Sequence, residues 1–301
     1  MTTSIERVFA PKKAPKTGVA GWSNGRAVAI LSTPRGEKAK SFPVWFSADG
    51  QRFIEGKLDT SKTKVEYLDT FNGPTLSPTG RLLQRRDHHV FEAALGENVT
   101  FVPLFTGFPD QQTFTVSTLI AHPDGSLWLG GYKAADSAVG WLYRSHDEGQ
   151  SWKKVHEKLP GAVHWLSPHG EGVLALAYRS VLHVTAKGSN ELAKYKDVVI
   201  HAHVDERGVF GFGETFTAFG APGKKAKYGK LLGEGDRNRR SPVAFAAGRF
   251  ALSKGRELFT SPDALDWHKV EGFDSGTLRA LLPSATGILA VSNTAEVFAL
   301  G

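Results

Sequence analysis

The chain has no cysteine and a single methionine in 301 residues. Disulfides, thiolate metal sites and a cysteine nucleophile are therefore excluded. Also missing is any apolar run near the ~20 residues of a membrane span, so no membrane insertion is expected. No segment carries a helix-long 3.6-residue apolar period. The start, Met1 to Arg7, has an early acid and no apolar h-region. A secretory signal is not expected, and the expected compartment is the cytoplasm. Neither a Gly-x-Ser-x-Gly elbow nor a Gly-x-x-x-x-Gly-Lys-Ser/Thr loop occurs, and Gly211-Phe212-Gly213 is not followed by a helical pattern, which removes the usual cues for triad hydrolases, phosphate loops and dinucleotide sites. No catalytic residue, metal site or cofactor is predicted, and the balance leans away from an enzyme.

What the chain does have is glycine (33) and aromatics (19 Phe, 7 Trp, 6 Tyr), which suits many short strands joined by tight turns. A repeat is visible. A turn ends in Gly, a short apolar strand follows, then a second turn and a third strand. Copies begin at Gly25, Gly80, Gly125, Gly172, Gly208, Gly248 and Gly287, about 44 residues apart on average. That period is the length of a four-stranded propeller blade. Ahead of most of these glycines lies another apolar run, the expected inner strand: 116–121, 162–166, 198–204, 243–246 and 278–282. Residues 1–25 and 287–301 together make one further blade length, so Ser4 to Phe9 is expected as a strand in the C-terminal blade. The prediction is all-β: a single domain over 1–301, a seven-bladed β-propeller of four-stranded antiparallel blades, closed by that N-terminal strand.

One stretch after a third strand is a motif. In Ser145-His146-Asp147-Glu148-Gly149-Gln150-Ser151-Trp152, Ser, Asp, Gly and Trp stand at relative positions 0, 2, 4 and 7. Ser and Asp side chains bond a loop's own backbone, and Gly supplies a positive φ. Two echoes, Ser47/Asp49/Phe53 and Ser261/Asp263/Trp267, keep Ser and Asp two apart with the aromatic at position 6. These residues resemble the Asp-box (BNR) repeat, Ser-x-Asp-x-Gly-x-x-Trp, of the outer hairpins of propeller blades. Sialidases carry the same box, where it is peripheral to catalysis. The Arg-Ile-Pro signature that sialidase chemistry implies does not occur here, and Glu66 beside Tyr67 points to opposite faces of a strand. The layout is also similar to that of non-enzymatic propellers such as photosystem II stability-factor-like assembly factors. That resemblance implies a scaffold that binds another macromolecule.

Net charge is +7, but it is local: residues 224–240 hold +5, residues 1–17 hold +3, and the rest is nearly neutral. Residues 10–17 read as a basic linker. Residues 220–242 read as a basic projecting loop carrying Lys224, Lys225, Lys227, Lys230, Arg237, Arg239 and Arg240, a candidate surface for an acidic protein. Tyr228 is its one aromatic, which weighs against nucleic acid, since single-strand binding interleaves several. A second candidate surface is the inner-strand mouth. His201 and His203 share a strand face, His164 occupies a matching place in the preceding blade, and Trp165 and Arg279 adjoin in the same pattern. Histidines there more often bond backbone or water than a metal. His122 is a looser candidate. The expected function is a non-enzymatic protein-binding propeller: an assembly factor, adaptor or inhibitor. The alternative is a carbohydrate-active one, a glycan-binding lectin or a sialidase-like hydrolase.

Overall fold

The computed structural model describes residues 4–15, 18–33, 41–59, 75–77, 79–86, 89–106, 113–213, 216–220, 225–230, 243–254, 256–273 and 276–301. The fold is all-β, a β-propeller of seven antiparallel blades. The chain divides into two compact units, one of residues 1–86, 91–103 and 234–301, the other of 87–90 and 104–233.

In chain order, β1 (Ile5–Phe9) comes first, followed by β2 (Gly18–Ser23), β3 (Val28–Thr33), β4 (Ser41–Ser47) and β5 (Ile54–Asp59). Next are β6 (Thr75–Leu76), β7 (Arg81–Arg86), β8 (His89–Ala94), β9 (Asn98–Thr100) and β10 (Val102–Thr106). The middle of the chain supplies β11 (Phe114–Ala121), β12 (Leu127–Lys133), β13 (Asp136–Ser145) and β14 (Lys153–Pro160). It continues with β15 (Val163–His169), β16 (Gly172–Ala177), β17 (Ser180–Thr185) and β18 (Gly188–Lys194), then β19 (His201–Asp205), β20 (Gly208–Phe212), β21 (Phe216–Gly220) and β22 (Lys227–Lys230). The last strands are β23 (Val243–Ala246), β24 (Arg249–Lys254), β25 (Glu257–Ser261), β26 (His268–Lys269), β27 (Leu278–Ser284), β28 (Gly287–Ser292) and β29 (Val297–Leu300).

In the first unit, β27, β28 and β29 are joined at the edge by β1, paired Ile5 to Leu300 and Arg7 to Phe298. The two ends of the chain thus share a blade, as the length arithmetic requires. The sheet β2-β3-β4-β5 gains a fifth strand beyond the expected four: β9 pairs with β5 in parallel, Lys57 opposite Asn98. Trp45, Leu289, Val291 and Val297 pack with Phe9 and Phe53 between these two blades. The sheet β23-β24-β25-β26 packs on the other side of the terminal blade through Leu258, Leu281 and Ile288. A further sheet has the order β10-β8-β7-β6.

The second unit contains the sheets β11–β14, β15–β18 and β19–β22, each in sequential antiparallel order. Two of their second strands, β16 and β20, are buried at every residue because both faces are covered, and β12 is buried from Leu127 to Gly131. Trp128, Leu142, Leu166 and Leu182 fill the space between the first two sheets. Gly130 is required there. A Cβ at that position would lie 2.7 Å from Val163 Cγ1 and 2.8 Å from Thr118 Cγ2, distances that packed atoms do not tolerate.

The segment 220–242 departs from its expected form as a loop throughout. Lys227–Lys230 are the outer strand of their blade, pairing Ala218 with Tyr228 and Phe219 with Lys227. The physical reason is the Tyr228 ring, which packs 5.7 Å from Phe216 and 6.4 Å from Tyr195 and anchors an otherwise polar strand.

Candidate functional site

The Ser-x-Asp hairpins are built by their own side chains. After β13, Ser145 Oγ donates to Asp147 (2.7 Å) and accepts from Gly149 N (2.8 Å). Asp147 also takes Ser151 N at 2.8 Å and Ser151 Oγ at 2.5 Å. Those Ser151 bonds, with Ser145, hold the Asp147 carboxyl at a pKa of about 2. Ser47 and Asp49 repeat the geometry, with Gly50 N on Ser47 Oγ and Gln51 N on Asp49. Ser261 and Asp263 do so with Leu265 N on Asp263. Phe53 stacks on Phe9 at 5.0 Å, Trp267 donates to Ala264 O, and Trp152 is half-buried. In the two shorter hairpins one residue takes the left-handed backbone, Gly50 (φ 80) or Ala264 (φ 59). The Ser145 hairpin has two, Glu148 (φ 55) and Gly149 (φ 88), which accounts for its aromatic standing one residue later. The Ser and Asp side chains of these hairpins are spent on the turns themselves.

The inner-strand candidates divide. In the second unit Trp165 and His201 meet edge-on, ring centroids 6.5 Å apart. His164 Nε2 lies 2.8 Å from Val199 O and so donates to it, while Nδ1 sits 3.3 Å from Ala162 O. His203 turns elsewhere, 3.4 Å from Asp205 and beside the Phe210 ring. Burial lowers its pKa, with Asp205 opposing and Arg207 and His169 reinforcing. His169 is itself depressed by burial and by His183, whose ring centroid is 5.1 Å away. Arg279, an exposed residue of β27, belongs to the first unit. Among the described residues no group of three or more His, Cys, Asp or Glu is placed to hold a metal ion, and no helix is long and apolar enough to cross a membrane.

Of the basic segment, Lys225 and Lys227 are exposed, Lys230 lies in β22, and Lys224, Arg237, Arg239 and Arg240 fall outside the described residues. Tyr228 is engaged: its hydroxyl accepts from Lys196 N at 2.9 Å, and Lys196 Nζ lies 4.4 Å from its ring centroid. Glu66 and Tyr67 also fall outside the described residues.

No family model matches the chain, and no curated protein sequence matches it. Solved structures do resemble it. A catalytically inactive virginiamycin B lyase from Staphylococcus aureus, with quinupristin, superposes with a TM-score of 0.63 at 10% identity over 99% of each chain. The extracellular domain of a B. thetaiotaomicron one component system, BT4673, gives 0.59 at 11% identity, over 98% of this chain and 42% of that one. A mutant puromycin hydrolase complexed with PGG gives 0.61 at 14% identity, over 93% and 51%. At these identities the likeness is one of fold.

Two features of the second unit escape a sequence reading. The turn between β16 and β17 is Tyr178-Arg179. Tyr178 is 50% exposed and held at φ 58, an uncommon backbone for a bulky side chain. The Arg179 guanidinium covers its ring at 4.9 Å, and Arg179 Nε is buried without a hydrogen-bond partner. Val199 N donates to Tyr178 O, and Val199 O receives His164, so the buried Val199 ties this turn to the strand that carries Trp165. The second feature is a polar corner. His122 and Asp124, in the β11–β12 turn, meet Arg144 at the end of β13. The His122-x-Asp124-x-Ser126 spacing signals a self-bonded turn, but nothing local says that Arg144 reaches back to it.

Proposed function

We propose that this chain is a propeller that binds a protein partner through the surface centred on Tyr178, Arg179, Trp165 and His201. The observation that carries the reading is Tyr178 itself: a large aromatic, half exposed in strained backbone, with an arginine stacked on it. Strain of this kind persists where the surroundings impose it and concentrates at ligand-binding surfaces. Tyr, Trp and Arg are the side chains that dominate interface energetics, and here all three types belong to one blade, Trp165 on β15 and Tyr178 and Arg179 at the β16–β17 turn. The Ser-x-Asp hairpins fit the Asp-box pattern and serve as scaffold in this reading, since their polar groups are consumed internally. Asp49, Asp124, Asp147, Asp205 and Asp263 are all held ionised, which fits structural roles for these five. Affinity purification with quantitative mass spectrometry tests the proposal. A stoichiometric partner should be retained by the wild-type protein and lost with Tyr178→Ala. Equal recovery with both would overturn it.

A further inference from the structure

The polar corner of the second unit borders a cavity of about 310 Å³, at the small end of ligand sites. One wall is His122, Asp124 and Arg144. The other is formed by the turns between β15 and β16 and between β17 and β18, which present Glu171, Thr185 and Lys187. Arg144 is fixed on three sides. Nη2 donates to Asp124 at 2.5 Å, Nε to Ser126 Oγ at 3.1 Å, and the guanidinium lies 4.9 Å from the Trp128 ring centroid. The Arg144 side chain is only 13% exposed, yet Nη1 has no protein acceptor among the described residues. A nearly buried cation with N–H groups still to satisfy beside a cavity is a carboxylate receptor in geometry and charge. Asp124 is locked as its counter-charge. Partial burial works against that charge, but the bonds from Ser126 and the facing His122 keep it well below the ordinary carboxylate range.

Glu171 and Lys187, both exposed at turn tips, make no ion pair among the described residues. The lining therefore holds two cationic and two anionic side chains. A simple anion would satisfy Arg144 and Lys187 while facing Glu171 uncompensated. A simple cation would meet the converse problem. We propose that this cavity binds a small zwitterion, a free amino acid or dipeptide, with its carboxylate on Arg144 and Lys187 and its ammonium on Glu171. The site is separate from the Tyr178 surface, so either proposal stands if the other fails.

Calorimetric titration of the full chain tests it with L-alanine and the dipeptide Ala-Ala as zwitterions, propionate as the matched anion and ethylamine as the matched cation. At least one zwitterion should saturate at millimolar concentration, about tenfold tighter than propionate or ethylamine. Which of the two binds tighter names the source, free amino acid or peptide. Glu171→Gln and Lys187→Ala, both at exposed tips and so compatible with folding, should each weaken zwitterion binding about tenfold, with unchanged thermal midpoints. Propionate binding as tightly as the zwitterions, no saturation by either zwitterion, or indifference to both substitutions would each overturn the assignment.

Discussion

The Ser145–Trp152 hairpin and the Tyr178–Arg179 turn lie in the same unit and hold a residue in almost the same disfavoured backbone, Glu148 at φ 55 and Tyr178 at φ 58. They differ in what offsets the strain. Around Glu148, Ser145 and Asp147 collect the N–H groups of Gly149 and Ser151 and close the loop on itself. Around Tyr178 the compensation comes from the neighbouring segment, through Val199 N on Tyr178 O, while the ring is presented to solvent under Arg179. We propose that the first turn is scaffold and that the second displays its aromatic for binding.

Separating stability from binding breaks or sharpens this contrast. The largest effect should come from Ser145→Ala, which leaves the buried Gly149 N–H without its acceptor and costs ~1–3 kcal/mol. Chemical denaturation should read that loss, with partner recovery unchanged. Tyr178→Gly should do the reverse. Relieving the left-handed strain should leave stability unchanged or raise it by ~1 kcal/mol, while partner affinity falls by roughly 30-fold, the cost of a hot-spot residue.

A pH series adds a third contrast. His169 and His203 are depressed by burial, so the unfolded chain takes up protons more readily than the folded one. Their contribution to stability is present above about pH 6.5 and is lost as pH falls below that toward the folded pKa values. The thermal midpoint should drop on going below that pH, and the drop should shrink in His169→Gln. Asp147 behaves separately: its contribution holds above the unfolded value of 3.8 and is lost as pH falls toward about 2. The smallest effect is expected for Lys225→Ala with Lys227→Ala. Both residues are exposed, so stability should move by less than about 0.5 kcal/mol, and a loss of partner recovery would shift the binding surface toward this edge.

The repeat was readable because each blade is punctuated locally. A glycine turn precedes an apolar second strand, and β3, β7, β12, β16, β20, β24 and β28 all begin at or just after the marked glycines. The N-terminal strand was readable from length alone. What escaped depends on partners distant in sequence. Lys-Tyr-Gly-Lys at 227–230 has the composition of a loop and becomes a strand because β21 pairs with it and Tyr228 finds Phe216 and Tyr195. Asn98–Thr100 joins β5 across a parallel pairing that no turn signal announces. The candidate surface was half legible. Strand position singles out His164, Trp165 and His201, but the Tyr178 backbone is set by the closure of the β16–β17 turn, and Arg144 reaches Asp124 only once β12 and β13 pair within their blade.

The most direct measurement is parallel affinity purification of wild-type, Ser145→Ala and Tyr178→Gly proteins at matched folded concentration, with recovered proteins quantified. The account predicts one stoichiometric partner shared by wild type and Ser145→Ala and absent from Tyr178→Gly. Undiminished recovery with Tyr178→Gly, or loss with Ser145→Ala alone, would contradict it.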